Sequence, residues 1–485
     1  MKKPNLLIMM TDHQRADTSF AGHICKTPHL DRFAQEGLRF NETYCPSPHC
    51  CPARATFFTG LYPSQHGIWN NICNKMAINT GLNDGVRLWS EELSEVGYQQ
   101  HFIGKWHVSL EESPKDRGWI EHTATATAGA YHGWRWEQYK QLAERGESNE
   151  REEGEILRPG YGSYKLYGTS QPKNHFHDER VLRETLEALA DLKNSDQPWV
   201  VYSGFIGPHD PYIVPQKYID MYDLDEIQLP ESYYDDLKDK PVLYQRMRQQ
   251  TFGQLSEREI REGIRHFYAY CTYLDDCFGQ ILQALEETGQ SEDTLVLYCS
   301  DHGDYNGEHG FFAKGIPSFS GAYHVPAVMR WPKGIKHPGR DINDFASLAD
   351  FAPTFLELAG VDPKQHFAGQ SLVPFLKDES PEEWRTSIFT QVNGVELYYC
   401  QRAVRTKEYH YVFNGFDQDE LYDLKKDPHQ IVNLANDPAY LDIKKELCGK
   451  MWKFAYEQDD GMINPYITVG LAPVGPAAAF KTFSE

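Results

Sequence analysis

Short apolar runs punctuate the chain, and three of them end alike. Asn5 to Met10 runs into Thr11-Asp12-His13, Trp199 to Ile206 into Gly207-Pro208-His209-Asp210, and Thr294 to Tyr298 into Cys299-Ser300-Asp301-His302-Gly303. Runs of this length, without polar alternation and bounded by Gly or Pro, predict strands buried on both faces, the pattern of a parallel sheet. In open α/β sheets a ligand sits beyond the carboxyl ends of the strands, so the polar clusters are expected to meet at one rim. Helices fall between the runs. Thr27-Pro28 opens one, with Leu30, Phe33 and Ala34 on its apolar face and Gly37 at its end. Asp178 is a candidate cap for a helix whose inner face includes Leu182, Leu186 and Leu189. Ser256 with Glu259 forms a capping box, and the helical stretch it opens ends near Gly289.

After about residue 375 the texture changes. Gln401 to Val412 and Glu420 to Leu424 read as short strands, with turns at Asn414-Gly415 and Asp427-Pro428. The expected architecture is α/β. A large, mostly parallel sheet flanked by helices occupies 1–375, and 376–485 forms a smaller α+β subdomain with a small antiparallel sheet and an extended tail. The tail, Asn464 to Phe480, is apolar yet rich in Pro, Gly and Ala. It is expected to drape over the body, to reach a neighbouring subunit in a homo-oligomer, or to fray.

Composition narrows the choice of partner. Hydrophobic residues make up 40% and charged residues 24% of 485 positions, which excludes dominant disorder. Lys and Arg number 48 against 70 Asp and Glu, a net −22 that argues against nucleic acid or an anionic membrane as the main partner. An anionic small substrate stays open, because a local cationic cluster can dominate a pocket. No apolar run reaches the length of a membrane span. Leu6 to Met10 is too short for a signal peptide and no small-residue cleavage site follows, so the chain reads as cytoplasmic, or as one whose leader is already removed. Ten scattered cysteines without repeated CxxC pairs argue against zinc ribbons and disulfide frameworks.

The sharpest local feature is Pro48-His49-Cys50-Cys51-Pro52-Ala53-Arg54-Ala55-Thr56-Phe57-Phe58-Thr59-Gly60. Pro52 suits the first turn of a helix, which places Cys50 at the N-terminus. Free backbone N–H groups and the helix dipole lower a thiol pKa there and attract an anion. Arg54, one turn on, can return over the same spot. On the physics of this segment alone, a buried cysteine pair ahead of a helix remains an equal alternative.

Cys50-Cys51-Pro52-Ala53-Arg54 followed by Thr59-Gly60 resembles the signature of the type I, formylglycine-dependent sulfatases, in the alkaline-phosphatase-like superfamily. Further stretches fit that family in order: Thr11-Asp12, Gly104-Lys105-Trp106-His107, Gly207-Pro208-His209, Ser300-Asp301-His302-Gly303 with Glu308-His309-Gly310, Lys314, and Glu420-Leu421-Tyr422-Asp423-Leu424. The resemblance is weakest between about 110 and 195 and over 215–255. It implies that Cys50 is converted to formylglycine by a formylglycine-generating or anaerobic sulfatase-maturating enzyme. It also implies a divalent metal on Asp12, His13, residue 50, Asp301 and His302. Taken singly, Asp12 and Asp301 read as strand-end caps; together, after parallel strands, they suit a hard cation such as Ca²⁺. Position 13 is His where many members carry Asp, and 302 is His where many carry Asn. Imidazole is the softer ligand, so Mg²⁺ or Mn²⁺ gains ground while Ca²⁺ remains the first choice, and a set without His13 is the alternative.

Lys105 and His107 stand two apart, so on a strand they face the same way. With Arg54, His209 and Lys314 they supply positive charge for an anionic transition state. The resemblance implies that the hydrated aldehyde at residue 50 attacks the sulfur. Arg54 and Lys105 then stabilise residue 50, His209 and Lys314 bind the sulfate and protonate the leaving oxygen, and His107 removes the last proton. Trp134, Arg135 and Trp136 are candidate contacts for a sugar or aryl ring, with plain packing as the alternative. Two rival readings are a phosphonate monoester or phosphodiester hydrolase of the same superfamily, and a non-catalytic anion- or glycan-binding protein. A redox-sensing vicinal thiol pair leaves Asp12, His209 and Asp301 unexplained.

Overall fold

The computed structural model describes residues 3–125, 151–158, 162–170, 177–394 and 397–481. Trp134, Arg135 and Trp136 lie outside these. The apolar runs at 5–10, 199–206 and 294–298 form the middle of an eight-stranded sheet. In chain order its strands are β1 (Asn5–Thr11), β2 (Leu38–Tyr44), β3 (Gln99–Lys105), β4 (Ile120–Thr125), β5 (Trp199–Gly204), β6 (Thr294–Ser300), β7 (Ala327–Arg330) and β8 (Arg340–Ser347). In space they run β8-β2-β7-β6-β1-β5-β3-β4. All neighbours pair in parallel except β7, which is antiparallel to both β6 and β2.

Period-2 alternation divides β1 between two cores. Leu6, Ile8 and Met10 face one side, and Leu7 and Met9 the other. Each such fully buried side chain contributes about 1.5–3 kcal/mol by leaving water, which is why a chain this long needs no covalent staple; the ten cysteines are all free thiols. On the Leu7 face pack α1 (Pro28–Gln35), α3 (His177–Asp191) and α4 (Glu257–Thr288). The capping box predicted from Ser256 and Glu259 opens α4, and Gly289 closes it with a left-handed φ of 75°. On the Leu6 face lies α2 (Cys50–Thr59), all ten of whose residues are buried. A helix buried on every side carries no amphipathic stripe, and this one ends at Gly60, whose φ of 70° lets its N–H reach the Thr56 carbonyl at 2.8 Å.

Beyond the main sheet, β9 (Ile388–Val392), β10 (Gln401–Arg405), β11 (Tyr409–Asn414) and β12 (Glu420–Asp423) form an antiparallel sheet. Val404, Tyr411, Phe413 and Leu421 pack on α5 (Leu441–Glu457) through Leu447, Met451 and Trp452. The C-terminal segment drapes over α5, where the Val474 carbonyl accepts the Trp452 indole N–H at 2.8 Å. Among the described residues no helix is long and apolar enough to cross a membrane.

Candidate active site

Parallel strands bring their carboxyl ends to one rim, and the loops that leave it are stitched together by backbone. The Asp12 N–H donates to the Gly207 carbonyl at 3.0 Å, Phe205 N–H to Met10 at 2.9 Å and Asp301 N–H to Thr11 at 3.2 Å. Asp12, Asp301 and His302 therefore hold a register set by β1, β5 and β6 rather than by flexible loops. The first turn of α2 faces the same rim and carries Cys50, which is 1% exposed.

Four side chains close on one another there. The Cys50 sulfur lies 3.4 Å from Asp12 Oδ1 and 3.2 Å from His302 Nε2. His302 Nε2 is 3.5 Å from Asp12 and 3.8 Å from Asp301. His302 Nδ1 donates to the Gly303 carbonyl at 2.8 Å, so the Nε2 lone pair is the one turned inward. The ligand atoms of Asp12, Cys50, Asp301 and His302 all fall within 4.8 Å of one another. Two carboxylates, an inward lone pair and residue 50 form a donor set that fits a divalent cation.

His13 joins a second close group with Asp12, Cys50 and His209, whose ligand atoms also lie within 4.8 Å of one another. Its Nδ1 faces Asp304 Oδ2 at 3.0 Å, and its Nε2 meets the Lys314 ammonium. Tyr212 donates to the same Asp304 oxygen at 2.8 Å. Lys314 also reaches His209 Nε2 at 3.0 Å, while His209 Nδ1 donates to the Asp210 carbonyl at 2.5 Å. Lys314 is thus a donor shared by two imidazoles.

Arg54 is fully buried. Its Nε donates to Asp301 Oδ2 at 2.8 Å, and its Nη1 to the Lys105 carbonyl at 3.0 Å and to Tyr202 Oη at 2.9 Å. Its Nη2 has no hydrogen-bond partner among the described residues and stands 3.6 Å from Asp12 Oδ2. Lys105 ends β3 and pairs with Asp12. The expectation that Lys105 and His107 share a strand face is corrected here. β3 stops at Lys105, and His107 lies beyond it in the left-handed region at φ 60°. From there His107 Nε2 meets the Cys73 sulfur at 3.2 Å.

Burial and charge set the protonation of the group. Burial would raise the Cys50 thiol, but the charges of Lys105 and Lys314 hold it well below its usual range. Burial and neighbouring Asp12 push Asp301 up to about 6. Asp12 stays low in spite of burial and Cys50, because Lys105 and Arg54 favour its charged form. Burial, reinforced by Lys105, takes His107 down to about 4, and burial with Lys314 lowers His209. The rim therefore presents neutral His107 and His209 beside cationic Arg54, Lys105 and Lys314.

All the expected site residues among the described ones, Asp12, His13, Cys50, Arg54, Lys105, His107, His209, Asp301, His302 and Lys314, meet at this rim. Sequence reasoning missed Asp304, Tyr202 and Cys73. Asp304 carried a signal, three residues after Asp301 in the same loop; Tyr202 and Cys73 carried none, since only tertiary packing brings them near.

The same fold recurs in proteins of known structure. A phosphonate monoester hydrolase of Agrobacterium radiobacter has the same fold at a TM-score of 0.77 and 24% identity, covering 94% of this chain and 96% of that one. A protein solved in complex with its substrate D-glucosamine-2-N,6-O-disulfate matches at a TM-score of 0.72 and 20% identity, over 95% and 99% of the two chains. The sulfatase family profile matches residues 4–361, and that of the N-sulphoglucosamine sulphohydrolase C-terminal region matches 307–457. A choline-sulfatase of Rhizobium meliloti is 30% identical over 455 residues, 90% of this chain and 83% of the relative. The chain belongs to the sulfatase family and is a sulfuric ester hydrolase.

Proposed function

We propose that the protein hydrolyses the sulfate ester of a sugar or aryl alcohol, with residue 50 acting as formylglycine after conversion by a separate maturating enzyme. The observation that carries this reading is the convergence of Cys50, Asp12, Asp301 and His302 within 4.8 Å, ringed by Arg54, Lys105 and Lys314. A sugar sulfate is the favoured substrate class, supported by the disulfated glucosamine bound to a protein of the same fold. Formylglycine supplies a hydrated aldehyde as nucleophile, a role for which a plain thiol offers no route of regeneration. A divalent cation on Asp12, residue 50, Asp301 and His302 supplies Lewis acidity toward the sulfate oxygens. Ca²⁺ is the first choice on the two carboxylates, with Mn²⁺ or Mg²⁺ as alternatives, of which the His302 nitrogen suits Mn²⁺ better. His13, close to Asp12, Cys50 and His209, is a fifth candidate ligand that would have to exchange its Lys314 contact for the ion.

The remaining side chains divide the work by position. Lys105 and Arg54 hold the Asp12 and Asp301 carboxylates in place and keep positive charge beside residue 50. Lys314, donating to His13 and His209, is the proton-bearing group beside the sulfate and serves the leaving oxygen together with His209. His107, neutral near pH 7, accepts a proton at residue 50.

The test is sulfate release from sugar and aryl sulfates by protein whose intact mass is lower by about 18 Da, the cysteine-to-formylglycine change. Release by that protein and not by the unconverted form is expected. A faster rate on phenyl phosphonate than on any sulfate would overturn the reading in favour of the phosphonate hydrolase alternative, which shares this fold.

A further inference from the structure

Asp178 was expected to cap its own helix. It lies instead inside the first turn of α3, 1% exposed, with its carboxylate turned to another part of the chain. Oδ1 accepts the Ile206 N–H at 2.8 Å and Oδ2 accepts the Gly207 N–H at 2.9 Å. Tyr270, from α4, donates its hydroxyl to Oδ2 at 3.1 Å, and His177 Nδ1 stands 3.3 Å from Oδ1. The other side of the Gly207 residue is also held, since its carbonyl accepts the Asp12 N–H at 3.0 Å. Gly207 is thus gripped between the Asp178 carboxylate and the Asp12 backbone. A β-carbon at 207 would strike the Tyr270 ring, so only glycine admits this clamp.

His209 belongs to the clamped turn, with its N–H bonded to the Ile206 carbonyl at 3.0 Å. Two charge-assisted bonds to consecutive N–H groups fix the direction of the turn as well as its position. We propose that Asp178 is a positioning residue for the hydrolysis: it orients the Ile206–His209 turn so that the imidazole and its Lys314 partner face the leaving oxygen. The inference rests on the reading that His209 and Lys314 serve that oxygen. An amide at 178 keeps one acceptor but aims an NH₂ at a backbone N–H. The turn must then shift, and the geometry of proton delivery goes with it.

The experiment measures kcat/KM of converted, metal-loaded D178N over aryl sulfates of rising phenol pKa and one sugar sulfate. Aryl sulfates with good leaving groups need little proton assistance, and poor ones depend on it. The expected loss is about 10-fold for the most activated substrate and about 10²–10³-fold for the sugar sulfate, within the range of general acid catalysis. His209→Ala should steepen the leaving-group dependence in the same sense, and D178N should add no further steepening to it. A uniform loss across leaving groups in D178N, with a steep H209A, overturns the inference alone. A flat H209A overturns the reading of His209 and the inference with it. If D178N does not fold, Tyr270→Phe, which removes one bond to the carboxylate, must show a milder steepening; a uniform loss there overturns the proposal.

Discussion

His302 Nε2 stands 3.2 Å from the Cys50 sulfur while His302 Nδ1 is committed to the Gly303 carbonyl. Backbone therefore decides which imidazole nitrogen looks into the site. Nε2 is thereby aimed at the point where Asp12, Asp301 and residue 50 converge, the orientation that the proposed ligand role requires.

Asp301→Asn should weaken divalent-metal binding by at least about 100-fold, since it removes a charged ligand and loosens its bond to Arg54. Calorimetric titration of dialysed protein with Mn²⁺ and Ca²⁺ checks this independently of turnover. Unchanged affinity for both ions would remove Asp301 from the ligand set.

Cys50→Ala should abolish sulfate release and leave the melting temperature within a few degrees of the parent. The position is buried at a helix start, and the substitution removes one sulfur without breaking a backbone bond. Thermal unfolding followed by circular dichroism, alongside a sulfate assay, separates loss of chemistry from loss of fold.

Lys314→Ala should lower kcat/KM by about 10²–10³-fold, the cost of losing one preorganised donor. The same change strips His13 Nε2 and His209 Nε2 of their shared partner. Steady-state kinetics on one aryl sulfate measures it, and a loss below tenfold would move the leaving-group role elsewhere.

Glu259 offers a pH test away from the site. The Arg151 guanidinium, helped by the Ser256 and Gly154 N–H groups, holds its carboxyl at about 2 against an ordinary 4.5. A depressed carboxyl contributes stability that is fully present above pH 4.5 and is lost as pH falls toward 2. Glu259→Gln should therefore cost about 1–2 kcal/mol near pH 7, the scale of a lost cap. The gap from the parent should close in urea titrations carried down through that acid range.

Gly104→Ala should destabilise the fold by about 2–3 kcal/mol and depress activity with it. Gly104 sits at φ 93° beside a break in the β3–β4 register, and a β-carbon there runs into the Gly204 carbonyl. The strain falls one residue before Lys105. Denaturant unfolding and kcat/KM measured on the same preparation would show the two effects together.

Much of this architecture is legible in the chain because its strongest signals are local. The runs at Leu6, Val200 and Leu295 are apolar on both faces, and the Ser256–Glu259 box and Gly289 bracket α4 within a residue. β2 and β8 escaped because their pattern is half-polar at one edge of the sheet, where one face meets water. The Asp178 clamp was invisible because its partners, Ile206 and Gly207, are 28 and 29 residues away. His107 shows the converse. Its place in the site follows from the motif, but the strand alternation invoked for it does not exist, because the chain turns left-handed after β3.

The stitching of the rim has a kinetic consequence. Asn5 pairs with Thr294 and Leu6 with Val200, so the middle of the sheet closes only after several hundred residues of chain have been gathered. Such non-local pairing is slow to form and gives little reward until it is complete. The cradle draws on residues from Asp12 to Lys314, so a fragment that stops short of 314 lacks part of it, and catalytic recovery after dilution from denaturant should lag the return of helical signal, timing the moment at which the central strands dock.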